Sequence, residues 1–276
     1  MGQGITARPL SISELPPGSF LPIQEKSSTR DARMKIEVHH LSAFFGKRQV
    51  LHQVSFDVQE QRITTLLGPS GSGKSTLLRT LARLHDSTAP IRLVGRVLLD
   101  GEDIYTGCKD PTQIHRQVGL LFEQPHLFPT SIFENVAYGL RLLGAHEKGS
   151  LHRAVQWTLQ RVGLWEEVKD RLTHSAWRLS EGQQYRLCLA RALIVEPEVL
   201  LLDEPSHLEA SGSKPSMLEL LMHLKETTTI VVATSNPRFA CQVSDHRRVI
   251  FEGTVTEMEA APKSGTFPED WWKEAF

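Results

Sequence analysis

The chain opens its ordered pattern at Lys35, where IEVHHLSAFF and VLHQVSFDVQ carry β-branched and aromatic residues at strand spacing, with Gly46 and Lys47 marking a turn between them. ITTLL at 63–67 reads as a buried strand, and a helix is predicted from Lys74 to about Leu84. GRVLLDGEDIY returns to strand and turn, and VGLLF at 118–122 is another buried strand. SIFENVAYGLRLLG then begins a helical stretch that runs, with breaks, to about Leu193, so that roughly 126–193 reads as a separate helical lobe. VLLLD at 199–203 and TIVVAT at 229–234 are core strands with a helix over roughly 213–226 between them, and RRVIFEGTVTEM closes on a hairpin at Glu252 and Gly253. Strands alternating with helices imply an α/β fold with a parallel core sheet. No internal repeat interrupts the order.

Residues 1–33 fit none of this. Pro9, Pro16, Pro17 and Pro22 stand among serines and charges without a sustained period, the pattern of a flexible tail, and Met34 is a candidate start. The remaining span, 34–276, is expected to be one domain. Forty per cent apolar residues in 276 suffice for a sizeable core. Lysine and arginine number 31 against 32 acidic residues, so the formal charge of −1 argues against a broad nucleic-acid surface. Cys108, Cys188 and Cys241 have neither metal-ligand spacing nor an even count, which suits a reducing compartment, and Cys188 and Cys241 sit among apolar neighbours as buried thiols do. No apolar run approaches the length of about 18 residues that a membrane span needs, and the N-terminus lacks a signal-peptide core.

Chemistry enters at GPSGSGKST, which satisfies G-x-x-x-x-G-K-[ST] between a predicted strand and a predicted helix. The loop comprises Gly68, Pro69, Ser70, Gly71, Ser72, Gly73, Lys74, Ser75 and Thr76. Its glycines let the backbone curl so that successive amides and the helix N-terminus face phosphates, while Lys74 reaches the β and γ oxygens and Ser75 offers a hydroxyl to Mg²⁺. ATP or GTP with Mg²⁺ is the ligand this loop predicts. In VLLLDEP, Asp203 at the end of a buried strand is placed to complete the Mg²⁺ shell, and Glu204 to act as general base on the attacking water.

LSEGQQYRLCLARAL, just upstream of that strand, narrows the class. Phosphate loop, a Leu-Ser-x-Gly-Gln signature and Asp-Glu-Pro, in that order, resemble the ATP-binding-cassette (ABC) ATPases. The resemblance implies an α/β P-loop core with an antiparallel β lobe and a helical lobe. It also implies a dimer in which Ser180, Gly182 and Gln183 of one subunit close over the ATP held by the other. Across roughly residues 35–255, LLRTLARLHD, IRLVGRVLLDGEDIY, FPTSIFENVAYGLRL and QQYRLCLARAL look like the ATP-binding subunit of bacterial phosphate importers, the PstB family. That family implies ATP hydrolysis coupled to phosphate uptake at the cytoplasmic face of the inner membrane. Its partners would be transmembrane permease subunits, a second ATPase subunit and, through the complex, a periplasmic phosphate-binding protein. FPTSIFENVAYGLRL sits where importer ATPases receive the coupling helix of the transmembrane subunits. Phe45, where the family usually has tyrosine, would stack on adenine, or else is a core phenylalanine.

Four positions depart from the family. Glu123 stands where a glutamine is expected, with Gln124 next; either the loop shifts by one so that Gln124 substitutes, or Glu123 itself faces the metal. Glu181 replaces the first signature glycine and brings a negative charge near the γ-phosphate, unless it swings to solvent. At an effective dielectric of ~20, like charges ~5 Å apart repel by about 3 kcal/mol. Glu209 in SHLEASG takes the place of an interface aspartate. Ser235 in TSN occupies the place of the histidine that contacts the γ-phosphate and steadies Glu204, with about half the reach; His207 or His246 is a candidate to take over. A second reading follows from these departures: a degenerate regulatory or heterodimer subunit that binds ATP with little turnover. A soluble DNA-repair ATPase is disfavoured, because no coiled-coil or zinc insertion interrupts the cassette.

Overall fold

A computed structural model describes residues 33–85, 91–106, 110–205 and 216–258. The expected tail, Cys108, His207, Glu209 and the residues after 258 lie outside the described residues.

The first strands pair as their spacing suggests. β1 (Met34–Phe45) and β2 (Arg48–Gln59) form an antiparallel hairpin across Gly46 and Lys47, and β4 (Ile91–Leu99) and β5 (Glu102–Asp103) extend it to a four-stranded sheet in the order β2-β1-β4-β5. β3 (Ile63–Leu67), β6 (Val118–Leu121), β7 (Val199–Asp203), β8 (Thr229–Thr234), β9 (His246–Phe251) and β10 (Thr254–Glu257) build the second sheet, ordered β10-β9-β3-β8-β7-β6. It is parallel from β9 to β6, and β10 adds an antiparallel edge through the Glu252–Gly253 turn. Both turn residues have positive φ, 45° and 75°, as a two-residue type I′ hairpin requires.

Alternation along the core strands divides the interior. Leu200, Leu202, Ile230 and Val232 face the helices α3 (Ile132–Leu142), α4 (Lys148–Arg161) and α6 (Glu181–Leu193). Val199, Leu201, Val231 and Ala233 face the antiparallel sheet and α1 (Lys74–Leu81). Asp203, two residues beyond Leu201, therefore emerges on the α1 side, where the phosphate loop lies. Lys35 on β1 is buried yet charged: it pairs with Asp100 at 2.6 Å and with Glu198, just ahead of β7. Burial opposes its charge, but the bonds and charges of the two carboxylates outweigh it and raise its pKa. This cluster ties the antiparallel sheet to the strand that carries Asp203.

The remaining helices correct the sequence reading. α1 ends at Leu81 rather than near Leu84, because Arg83 turns into left-handed backbone at φ 55°. α2 (Pro111–Gln117) and α8 (Pro237–Val243) were not expected; each is a short element of about two turns with proline in its first turn and an Asp110 or Asn236 side chain capping its N-terminus. α5 (Trp165–Val168) is a single turn, and α7 (Met217–Leu224) is shorter than the expected 213–226, part of which is outside the described residues. Cys188 is buried as expected, whereas Cys241 is only half-buried.

Candidate active site

The strands β3, β7 and β8 deliver their C-terminal ends to one place. Gly68 follows β3 directly, and its amide donates to the Thr234 carbonyl at the end of β8 at 3.1 Å. No side chain fits there, since a Cβ on Gly68 would come within 2.1 Å of the Ile250 carbonyl. Gly73, at φ 108°, turns the chain into α1 in a conformation that favours glycine. Between this loop and the β1–β2 hairpin lies a cavity of about 750 Å³.

The cavity gathers most of the residues singled out from sequence: Phe45, Ser70, Gly71, Gly73, Lys74, Ser75, Thr76, Glu123, Glu204 and Ser235 line it. Arg48, Val50 and Asn236 line it as well and were not anticipated. Arg48 and Val50 carry no motif; only their alternation on the strand after Phe45 could have pointed to them. Phe45 is half-buried in the lining rather than a core residue. Gly68, Pro69 and Ser72 support the loop from behind, and the Ser72 hydroxyl is buried without a protein partner.

Lys74 is buried and folded onto its own loop. Its ammonium donates to the carbonyls of Gly68 at 2.8 Å and Pro69 at 3.0 Å, and stands 3.1 Å from Glu204 Oε1. The other Glu204 oxygen accepts from the Ser235 amide at 2.8 Å and the Ser235 hydroxyl at 3.2 Å. Glu204 itself has φ 47°, an uncommon conformation for a side chain of its size, and its amide donates to Ala233 at 2.8 Å. A carboxylate is thus held in the cavity wall with one oxygen on a cation and one on a pair of donors.

Asp203 is buried beside it. Burial is the largest influence and raises its pKa; a hydrogen bond from Ser75 and the charge of Lys74 pull the other way, and Glu204 and Glu123 push it further up. One of its oxygens, Oδ1, is buried without a hydrogen-bond partner. An orphaned carboxylate oxygen and a serine hydroxyl in contact, among three acidic side chains, form an oxygen donor set that fits Mg²⁺.

The two ways for residues 123 and 124 to face are separated: Glu123 lines the cavity, and Gln124 lines a second one. His246 is hydrogen-bonded to Gln59 at 2.9 Å and does not line the site. Nor do Ser180, Gly182 and Gln183. They start α6, where the Ser180 hydroxyl accepts from the Gln183 amide at 3.4 Å and the Gln183 side chain accepts from the Ser180 amide at 3.0 Å. Glu181 is exposed.

The ABC transporter family profile matches residues 51–207, and the chain belongs to that family. It is an ATP-binding ABC ATPase with the α/β P-loop fold. Among its relatives is phosphate import ATP-binding protein PstB 1 of Yersinia pestis, 44% identical over 237 residues that cover 86% of this chain and 88% of the relative. The protein of the same name from Yersinia pseudotuberculosis matches equally. Among solved structures, CbiO1 from Clostridium perfringens, part of the ABC transporter complex CbiONQ, superposes with a TM-score of 0.68 at 25% identity, over 81% of this chain and 87% of its own. A bacterial Atm1-family ABC exporter with ATP bound shares the fold at a TM-score of 0.66 and 23% identity, over 83% of this chain and 39% of its own. Among the described residues no helix is long and apolar enough to cross a membrane.

Proposed function

We propose that the chain is the ATP-hydrolysing subunit of an importer of inorganic phosphate. It works as one of a pair of ATPase subunits beneath transmembrane permease subunits at the cytoplasmic face of the plasma membrane, with a periplasmic binding protein delivering phosphate. The choice of phosphate is supported by the 44% identity to phosphate import ATP-binding proteins. The observation that carries turnover is the Glu204 carboxylate, held in the cavity wall between Lys74 and Ser235.

The geometry supports a definite order of events. Amides at the start of α1 bind phosphate oxygens, and Lys74 leaves the Gly68 and Pro69 carbonyls to join them. That movement also takes Lys74 away from Glu204, so Oε1 is released to accept a proton from water while Ser235 keeps Oε2 oriented. Ser75 and Asp203 would hold Mg²⁺, which when bound would supply positive charge to the nucleotide's phosphates. Phe45 stacks on the base. Ser180, Gly182 and Gln183, outside this cavity, serve the partner subunit's nucleotide. Ser235 lacks the reach of a histidine, so hydrolysis is slowed rather than abolished; no observation favours the non-hydrolysing alternative.

Permease docking has a matching surface. A cavity of about 760 Å³ beside α3 and α6 is lined by Leu84, Tyr138, Leu142 and Leu143, all exposed large apolar residues. Its lining includes part of the stretch that the family resemblance assigns to the coupling helix. The test is Mg²⁺-dependent ATP hydrolysis by the assembled complex, expected to rise with phosphate-loaded binding protein. Hydrolysis that ignores phosphate and responds to another anion overturns the assignment.

A further inference from the structure

Arg48 lines the cavity, yet it belongs to no motif and has no role in the chemistry above. It stands directly opposite Phe45 in the β1–β2 ladder, joined to it only through Gly46 and Lys47. Opposed residues of an antiparallel pair project from one face with Cβ atoms about 4.5–5.5 Å apart. Val50, two residues further along β2, lines the same cavity and lies against the phosphate loop, its carbonyl 3.3 Å from where a Cβ on Gly73 would be. Two strand residues span about 7 Å, so Arg48 sits that much further from the loop than Val50, at the nucleoside end beside Phe45. Lys74, the other cation of the lining, is committed to Glu204 and two carbonyls. Among the described residues the Arg48 guanidinium has no hydrogen-bond or ion-pair partner and is exposed to the cavity.

We propose that Arg48 reads the edge of the purine that rests on Phe45 and thereby admits GTP as a second substrate of this site. A guanidinium is a planar fork of donors with no acceptor. Guanine presents two acceptors on one edge, N7 and O6, and takes both prongs; adenine presents N7 beside an amino group that is itself a donor, and takes one. In this reading the purine lies on Phe45 with its edge toward Arg48, the residue opposite in the ladder. The inference rests on the nucleotide site proposed above.

Equilibrium dialysis of the full chain with labelled Mg-ATP and Mg-GTP tests it, on the parent, Arg48→Ala and Arg48→Lys. The parent is expected to bind GTP within about threefold of ATP or better. Arg48→Ala should weaken GTP binding roughly tenfold more than ATP binding. Arg48→Lys keeps donors that N7 and O6 can share but loses the planar fork, and should leave the ratio between those of the parent and the alanine variant. A GTP-to-ATP ratio unchanged by alanine overturns the proposal, whether both affinities fall together or neither does. A parent that binds neither nucleotide refutes the site itself and this reading with it, whereas ATP binding with an unmoved ratio refutes the reading of Arg48 alone.

Discussion

Glu204 and Ser235 are joined by two hydrogen bonds to a single carboxylate oxygen, one from the Ser235 backbone at 2.8 Å and one from its hydroxyl at 3.2 Å. The shorter bond survives any non-proline substitution at 235. Ser235→Ala therefore removes one modest contact, and steady-state ATPase activity of the assembled complex should fall about threefold to tenfold. Ser235→His keeps the amide contact and adds the reach to the γ-phosphate, in an interaction that strengthens as charge shifts. A gain of about tenfold to a hundredfold is expected. No gain from a folded, ATP-binding histidine variant means that Glu123 and Glu181 have remodelled the site together with Ser235, since residues acting as a unit are not additive.

What the sequence revealed and what it hid follow from the range of the interactions involved. The loop Gly68–Thr76 and Asp203–Glu204 were legible because each is a local pattern at the end of an apolar strand. The β1–β2 and β9–β10 hairpins and the parallel character of the core sheet followed from alternation and turn residues, whereas the order of strands within each sheet did not. α2 and α8 were missed because seven residues give too little helical period, and their only signals were a capping Asp110 or Asn236 before proline. The grip of Lys74 on Glu204 joins residues far apart in the chain and has no sequence pattern. Arg48 and Val50 were missed because an exposed arginine and a half-buried valine of an edge strand look like any partly solvated face until the loop is folded against them.

Lys74 carries the apoprotein's ion pair and, in the proposed cycle, the phosphate contact. Lys74→Ala loses a charge-assisted contact of about 2 to 3 kcal/mol, so ATP affinity in equilibrium dialysis should weaken at least about thirtyfold. Equal affinity for variant and parent contradicts the cradle.

Asp203 makes a pH prediction whose sign follows from its raised pKa, caused first by burial. In the pH range between its unfolded and folded values the native state binds more protons than the unfolded chain, so this group's contribution to stability is greatest below the unfolded pKa and is lost as pH rises through the folded one. At neutral pH the buried carboxylate thus opposes folding of the metal-free protein. Asp203→Asn should raise the melting temperature without Mg²⁺, by about 2–4 °C for each kcal/mol recovered, and abolish further stabilisation by Mg-ATP. For the parent, Mg-ATP binding should fall off on acidification at a pH above that of an ordinary carboxylate. A metal-free Asp203→Asn protein that melts below the parent, or that keeps the full Mg-ATP shift, is the contrary result.

Glu204 as the base that couples hydrolysis to phosphate uptake is most directly tested with Glu204→Gln in the complete transporter, reconstituted in vesicles with Mg-ATP on the cytoplasmic side, by following entry of labelled phosphate. The parent complex should take up phosphate, and the variant should bind ATP undiminished while uptake falls by at least about a hundredfold. Uptake by Glu204→Gln at the parent rate, or a parent complex that hydrolyses ATP and moves no phosphate, contradicts it.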